Sequence, residues 1–195
     1  MKSKGEALVL LLLLASIGLA RKKYAGWTDD DMRAFLDAIK RTGVPPEAAL
    51  LVYYLESGLQ PWQVNAHGSY GINQAQHALL DASGWKGSTW GYLALSVREQ
   101  LPYVAKILSL QVRDIGYAPA DAAELMRAQL SLKAAKEKND TIYAAPSAGY
   151  QANRWMDKTQ KGSITMDDLR ASLDQIAQQP LYQRHLAQLR RLHGS

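Results

Sequence analysis

Residues 48–57, AALLVYYLES, leave the chain little choice of architecture, because they are apolar on nearly every side. A helix without a polar face must run through a core, with other elements packed around it. Val44-Pro45-Pro46 breaks the chain ahead of this segment, and Gly58 supplies the stop. One residue within it is out of character. Glu56 falls in the last turn, where the negative end of the helix dipole and burial both disfavour an ionised carboxylate. Both push its pKa up, as a carboxylic acid that must keep its proton near neutral pH requires.

The rest of the pattern supplies the partners for that helix. Thr28 followed by Asp29, Asp30 and Asp31 reads as a helix start, with Met32, Phe35, Leu36 and Ile39 at helical spacing and Gly43 at the stop. Helical patterns resume over 75–82, 93–115 and 120–138, and two short amphipathic helices close the chain over 166–177 and 181–192. Residues 58–74 are punctuated by Gly, Pro and Asn and read as a structured loop, as do 143–150. No pair of alternating strands is evident, so the fold class is mainly α. With 195 residues, there is room for one medium domain with short additions. We assign 24–156 to the domain and 157–195 to a C-terminal helical tail.

Residues 1–23 differ from all that follows. An apolar run over 7–20 is preceded by Lys2 and Lys4 and followed at once by Arg21, Lys22 and Lys23. The run is short for a spanning helix and of the right length for a signal peptide, with Gly18-Leu19-Ala20 as a candidate cut. The basic cluster behind it resists translocation and suits lipid headgroups, favouring an uncleaved membrane anchor over a cleaved signal. Either reading puts the domain at a membrane or beyond it.

Glu56-Ser57-Gly58, then Pro61, then Gly68-Ser69-Tyr70-Gly71-Ile72-Asn73-Gln74 resembles the motif set of lytic transglycosylases of the lysozyme superfamily. The correspondence runs without a gap, with Gln60, Ser69, Ile72 and Asn73 standing for the family's Asn, Ala, Leu and Met. The resemblance implies a lysozyme-like (goose-type or lytic transglycosylase) helical domain that cleaves peptidoglycan glycan strands. Glu56 would protonate the bond between N-acetylmuramic acid and N-acetylglucosamine and then act as base. Ser57 would hold the local backbone or the acid, and Gln74 would line the sugar groove. No metal or organic cofactor is implied. The family's Ala-Tyr-Asn-Ala-Gly motif is replaced by Ala145-Pro146-Ser147-Ala148-Gly149, which leaves Tyr143 and Tyr150 as alternative sources of its phenol.

No acidic residue lies between Glu56 and Asp81, whereas glycosidases usually pair two carboxylates. A lone acid suits the transglycosylase route, in which the sugar's own 6-hydroxyl attacks and leaves a 1,6-anhydro end. Two alternatives stay open: a goose-lysozyme-type hydrolase with a distant second acid, Asp114 or Asp121, and a catalytically inactive wall-binding or structural virion component. Secretion machines, conjugation systems and phage virions are all settings for such an enzyme.

Weaker signals have plain explanations. Asp157 to Asp168 follow EF-hand spacing, but Lys161 sits where an oxygen ligand is needed; a loop leading to a helix capped by Thr165 accounts for the same residues. His67, His77, His185 and His193 show no zinc spacing, and the absence of cysteine removes thiolate sites, disulfides and a thiol nucleophile. Trp62, Trp85 and Trp90 are candidates for sugar stacking, with core packing the default. The net charge of +5 is too modest to point to nucleic acid.

Overall fold

The computed structural model describes residues 26–65 and 68–194. The expected membrane anchor or signal segment, 1–23, and His67 lie outside the described residues. Among those described, no helix is long and apolar enough to cross a membrane.

The chain is mainly helical. Ten α-helices are present among the described residues: α1 Asp29–Lys40, α2 Pro46–Ser57, α3 His77–Ala82, α4 Thr89–Ala94, α5 Val97–Ile115, α6 Ala122–Leu130, α7 Leu132–Lys136, α8 Ala148–Asn153, α9 Met166–Ala177 and α10 Pro180–His193. Thr28 caps α1 in a reciprocal box with Asp31, satisfying donors that the first turn leaves free. Helix α2 opens on proline and closes on Gly58, whose φ of 62° is the left-handed value that lets glycine end a helix cheaply. It buries Ala48, Ala49, Leu50, Val52, Tyr53, Tyr54 and Ser57, so contact surrounds it as its composition demands. Helices α1, α6, α9 and α10 pack against it.

Three expectations change. The helical stretch expected over 93–115 is broken at Leu95-Ser96, because Ser96 and Glu99 form a capping box that begins α5 afresh. The stretch expected over 120–138 breaks at Ser131, which closes α6 with an extended backbone while its hydroxyl accepts from Ala134 N to start α7. The segment 143–150 is not a plain loop. It holds the end of strand β1, Thr141–Ala144, and the start of α8; β1 pairs antiparallel with β2, Ser163–Thr165, through Tyr143 with Ile164 and Ala144 with Ser163.

The main core joins residues from both ends of the chain. Leu169, Leu173, Tyr182, Leu186 and Leu189 belong to the same buried cluster as Phe35, Leu50, Val52 and Leu125. Arg190 and Arg191 add ion pairs to Glu47 and Asp29 across the surface of that contact. A smaller cluster of Ala75, Leu80, Tyr92 and Ile107 supports residues 68–76 from beneath. There Trp85, Tyr92 and Tyr103 meet edge to face.

Candidate active site

A groove of about 640 Å³ opens where the C-terminal end of α2 meets the turn 68–76, the end of α6 and helix α8. Glu56 lies in it, carried there by the last turn of the central helix. Its carboxyl is pushed up from 4.5 to about 7, and burial alone is the cause. A carboxyl removed from water and offered no compensating charge holds its proton more tightly. Among the described lining residues Glu56 is the sole carboxylate, and neither lysine nor arginine joins it. The remaining polar lining is mostly amide: Asn65, Asn73, Gln74, Gln76, Gln111, Gln129 and Asn153.

Behind Glu56 the backbone is pinned by side chains. The Ser57 hydroxyl, 6% exposed, donates toward the carbonyls of Ile72 at 2.7 Å and Tyr53 at 3.0 Å. It thereby fastens the end of α2 to the turn that carries Asn73 and Gln74. A second fastening comes from Gln100 of α5, which is fully buried. Its Nε2 donates to Pro61 O and Tyr92 O, and its Oε1 accepts from Ile72 N. Gly71, at φ 73°, passes so close that a Cβ there would sit 2.6 Å from both Gln100 Oε1 and Tyr92 Cε1. Gln74 turns through a left-handed φ of 47° and donates from Nε2 to Gly71 O at 2.9 Å and Gln63 O at 3.2 Å.

The two tyrosines left open by the sequence have different places. Tyr143 lines the groove; its ring lies against the Gly149 backbone, where any side chain would overlap it, and its hydroxyl donates to Leu130 O. Tyr150 is buried outside the groove lining and donates to Asp157 Oδ2 at 2.9 Å. Asp157 also accepts from Gly162 N, Lys161 N and Thr159 Oγ1. Burial pushes against ionisation of this carboxyl, but those hydrogen bonds, led by Tyr150, hold it below its ordinary value. The groove therefore gathers Glu56, Gln74 and Tyr143, with Ser57 and Tyr150 as supports outside its lining.

The other sequence signals resolve around this centre. Lys161 Nζ lies 2.9 Å from Asp168 Oδ2, so the EF-hand-spaced loop carries its own cation, and Thr165 and Asp168 cap α9 as the plainer reading expects. No group of three or more metal-ligating side chains is placed to hold an ion among the described residues. None of Trp62, Trp85 and Trp90 lines the groove. The residues that sequence reasoning missed are Gln100, Gln111, Gln129 and Asn153, all amides on helices, where a lone Gln or Asn reads as solvated surface.

No family model, no curated protein and no solved structure matches this chain. The chemistry of the groove therefore rests on its own residues. It offers one acid pushed up to about 7, no fixed cation among the described lining residues, and an amide-rich wall suited to a polar, uncharged ligand.

Proposed function

We propose that the chain is a peptidoglycan lytic transglycosylase with a lysozyme-like helical domain, acting from a membrane through its N-terminal apolar run. The observation that carries this reading is Glu56: one buried carboxyl, pushed up to about 7, in an amide-lined groove and within a motif set resembling that family's. The protonated acid gives its proton to the oxygen joining muramic acid C1 to glucosamine O4, and the C1–O bond breaks. The glucosamine leaves with a free 4-hydroxyl. The Glu56 carboxylate then takes the proton of the muramic acid 6-hydroxyl as that oxygen closes on C1. The product ends in a 1,6-anhydro ring, no water is consumed, and Glu56 returns protonated.

The absence of a second carboxylate from the described lining favours this route over hydrolysis. A retaining pair would sit roughly 5–5.5 Å apart and an inverting pair roughly 6.5–9.5 Å apart, both within a groove of this size. Local opening of the wall is the matching task, whether for a secretion or conjugation machine or an entering phage.

The test is mass spectrometry of fragments released from purified peptidoglycan by the full chain and by Glu56→Gln. Anhydro-ended fragments from the parent alone are expected. Reducing ends would instead identify a goose-type hydrolase, and intact glycan would leave a wall-binding or structural role.

A further inference from the structure

Among the described residues, six buried side-chain polar atoms lack a hydrogen-bond partner, and half of them belong to the groove: Asn73 Oδ1, Gln74 Oε1 and Gln129 Oε1. Asn73 and Gln74 are both more than nine-tenths buried. An unpartnered buried acceptor costs a folded protein the desolvation of that group with nothing in return. Concentration of this cost along one groove is what a ligand site looks like before its ligand arrives.

The three amides are not equivalent. The Nε2 of Gln74 already serves two backbone carbonyls, so its orientation is set by the turn it holds. Asn73 and Gln129 have no such commitment: no hydrogen bond from either side-chain amide is made to the described residues. Their oxygens are turned away from solvent. The terminal amide torsion of Asn and Gln is soft and roughly two-fold, so either group can rotate to present an oxygen or an N–H to the groove. Asn73 comes from the turn 68–76 and Gln129 from the last turn of α6, immediately before the Leu130 carbonyl that receives the Tyr143 hydroxyl.

We propose that Asn73 and Gln129 are ligand-binding residues of the groove, turning their amides onto the hydroxyl and acetamido groups of the bound glycan. The assignment rests on the glycan-cleaving reading of the site. Both residues are kept polar at the expense of the free protein. Asn73 occupies the position where the resembled family carries an apolar methionine, and the acceptor it leaves unpaired serves no contact in the unliganded fold.

This makes a paired prediction that a purely structural amide would reverse. In Asn73→Leu and Gln129→Leu, removal of an unpartnered buried oxygen raises Tm by roughly 2–6 °C. The same change weakens binding of chitotetraose, a neutral β-1,4 N-acetylglucosamine tetramer, by about threefold to tenfold per residue. Binding is measured by calorimetry on the full chain carrying Glu56→Gln, so that turnover does not intervene. In the chain with Glu56 intact, KM for peptidoglycan rises while the anhydro product is unchanged. Unchanged affinity and KM in both variants overturn the proposal while leaving the cleavage reading standing. A fall in Tm with unchanged affinity also overturns it and marks the amides as structural. Weakened tetramer binding without wall cleavage by the parent supports these two residues and removes the transglycosylase. A parent that neither binds nor cleaves refutes both.

Discussion

Replacing Glu56 with glutamine should make the protein inactive and, above neutral pH, more stable. The rise of the carboxyl from 4.5 to about 7 corresponds to roughly 3 kcal/mol, at about 1.36 kcal/mol per pH unit. The sign follows from which state holds the proton. At about pH 4 both folded and unfolded chains carry Glu56 largely protonated, and burial exacts little. Between 4.5 and about 7 the unfolded chain ionises and the folded one does not, so the parent loses stability steadily through that window. Above about 7 the folded protein holds a buried carboxylate, and the loss is complete. Glutamine never ionises, so Glu56→Gln escapes it. Urea unfolding at about pH 4 and about pH 8 should show a gap between variant and parent that opens from near zero to roughly 3 kcal/mol. In thermal melts the gap at about pH 8 is roughly 6–12 °C for a chain of this size. A gap of equal size at both pH values would refute the reasoning, since it would show that Glu56 titrates as an ordinary surface glutamate.

Further outcomes follow from the supports around the acid. Ser57→Ala should cost about 1–2 kcal/mol in urea unfolding, and should lower kcat/KM at least about tenfold by releasing the turn 68–76 from α2. Gly71→Ala should cost about 2–4 kcal/mol, from a left-handed alanine and its collision with the buried Gln100 and Tyr92, read as a fall in Tm. Asp157→Asn should loosen the Tyr150 contact and speed hydrogen exchange in β1 and β2. Because the Asp157 carboxyl sits below its ordinary value, its stabilising contribution is present at neutral pH and lost as pH falls through that lowered value. The Asn variant should therefore narrow its difference from the parent in acid.

Glu56, Ser57 and Gln74 were legible because the chemistry of this half of the groove is local. One apolar helix, one glycine stop and one glycine-punctuated turn place them, and each leaves a mark within nineteen consecutive residues. The opposite wall was not legible. Strands of four and three residues are too short for alternation to register, so nothing in the sequence told Tyr143 from Tyr150. Their separation comes from the pairing of Tyr143 with Ile164, 21 positions away, and from a carboxylate, Asp157, that draws Tyr150 inward. Gln100 and Gln129 were missed for a related reason. Whether a helical amide meets water or a buried carbonyl depends on what packs over it, which helical periodicity does not report. The split at Ser96 is different, since Ser96 and Glu99 carry a capping-box pattern in plain view, whereas Ser131 has only its hydroxyl to start α7, with Ala134 where a box would place an acid or amide.

The pairing of β1 with β2 also sets a clock. Tyr143 and α8 are made early enough to be present when most of the chain has been synthesised, yet the strand that pairs with β1 and the helices that complete the main core come afterwards. The acid, its turn and Tyr143 therefore all precede in the chain the strand that pairs with β1 and the helices α9 and α10 that complete the main core. The β1 wall of the groove gains its pairing strand only once residues 163–165 are present. On the glycan-cleaving reading proposed above, a chain still being made would lack the strand that backs one wall of its groove.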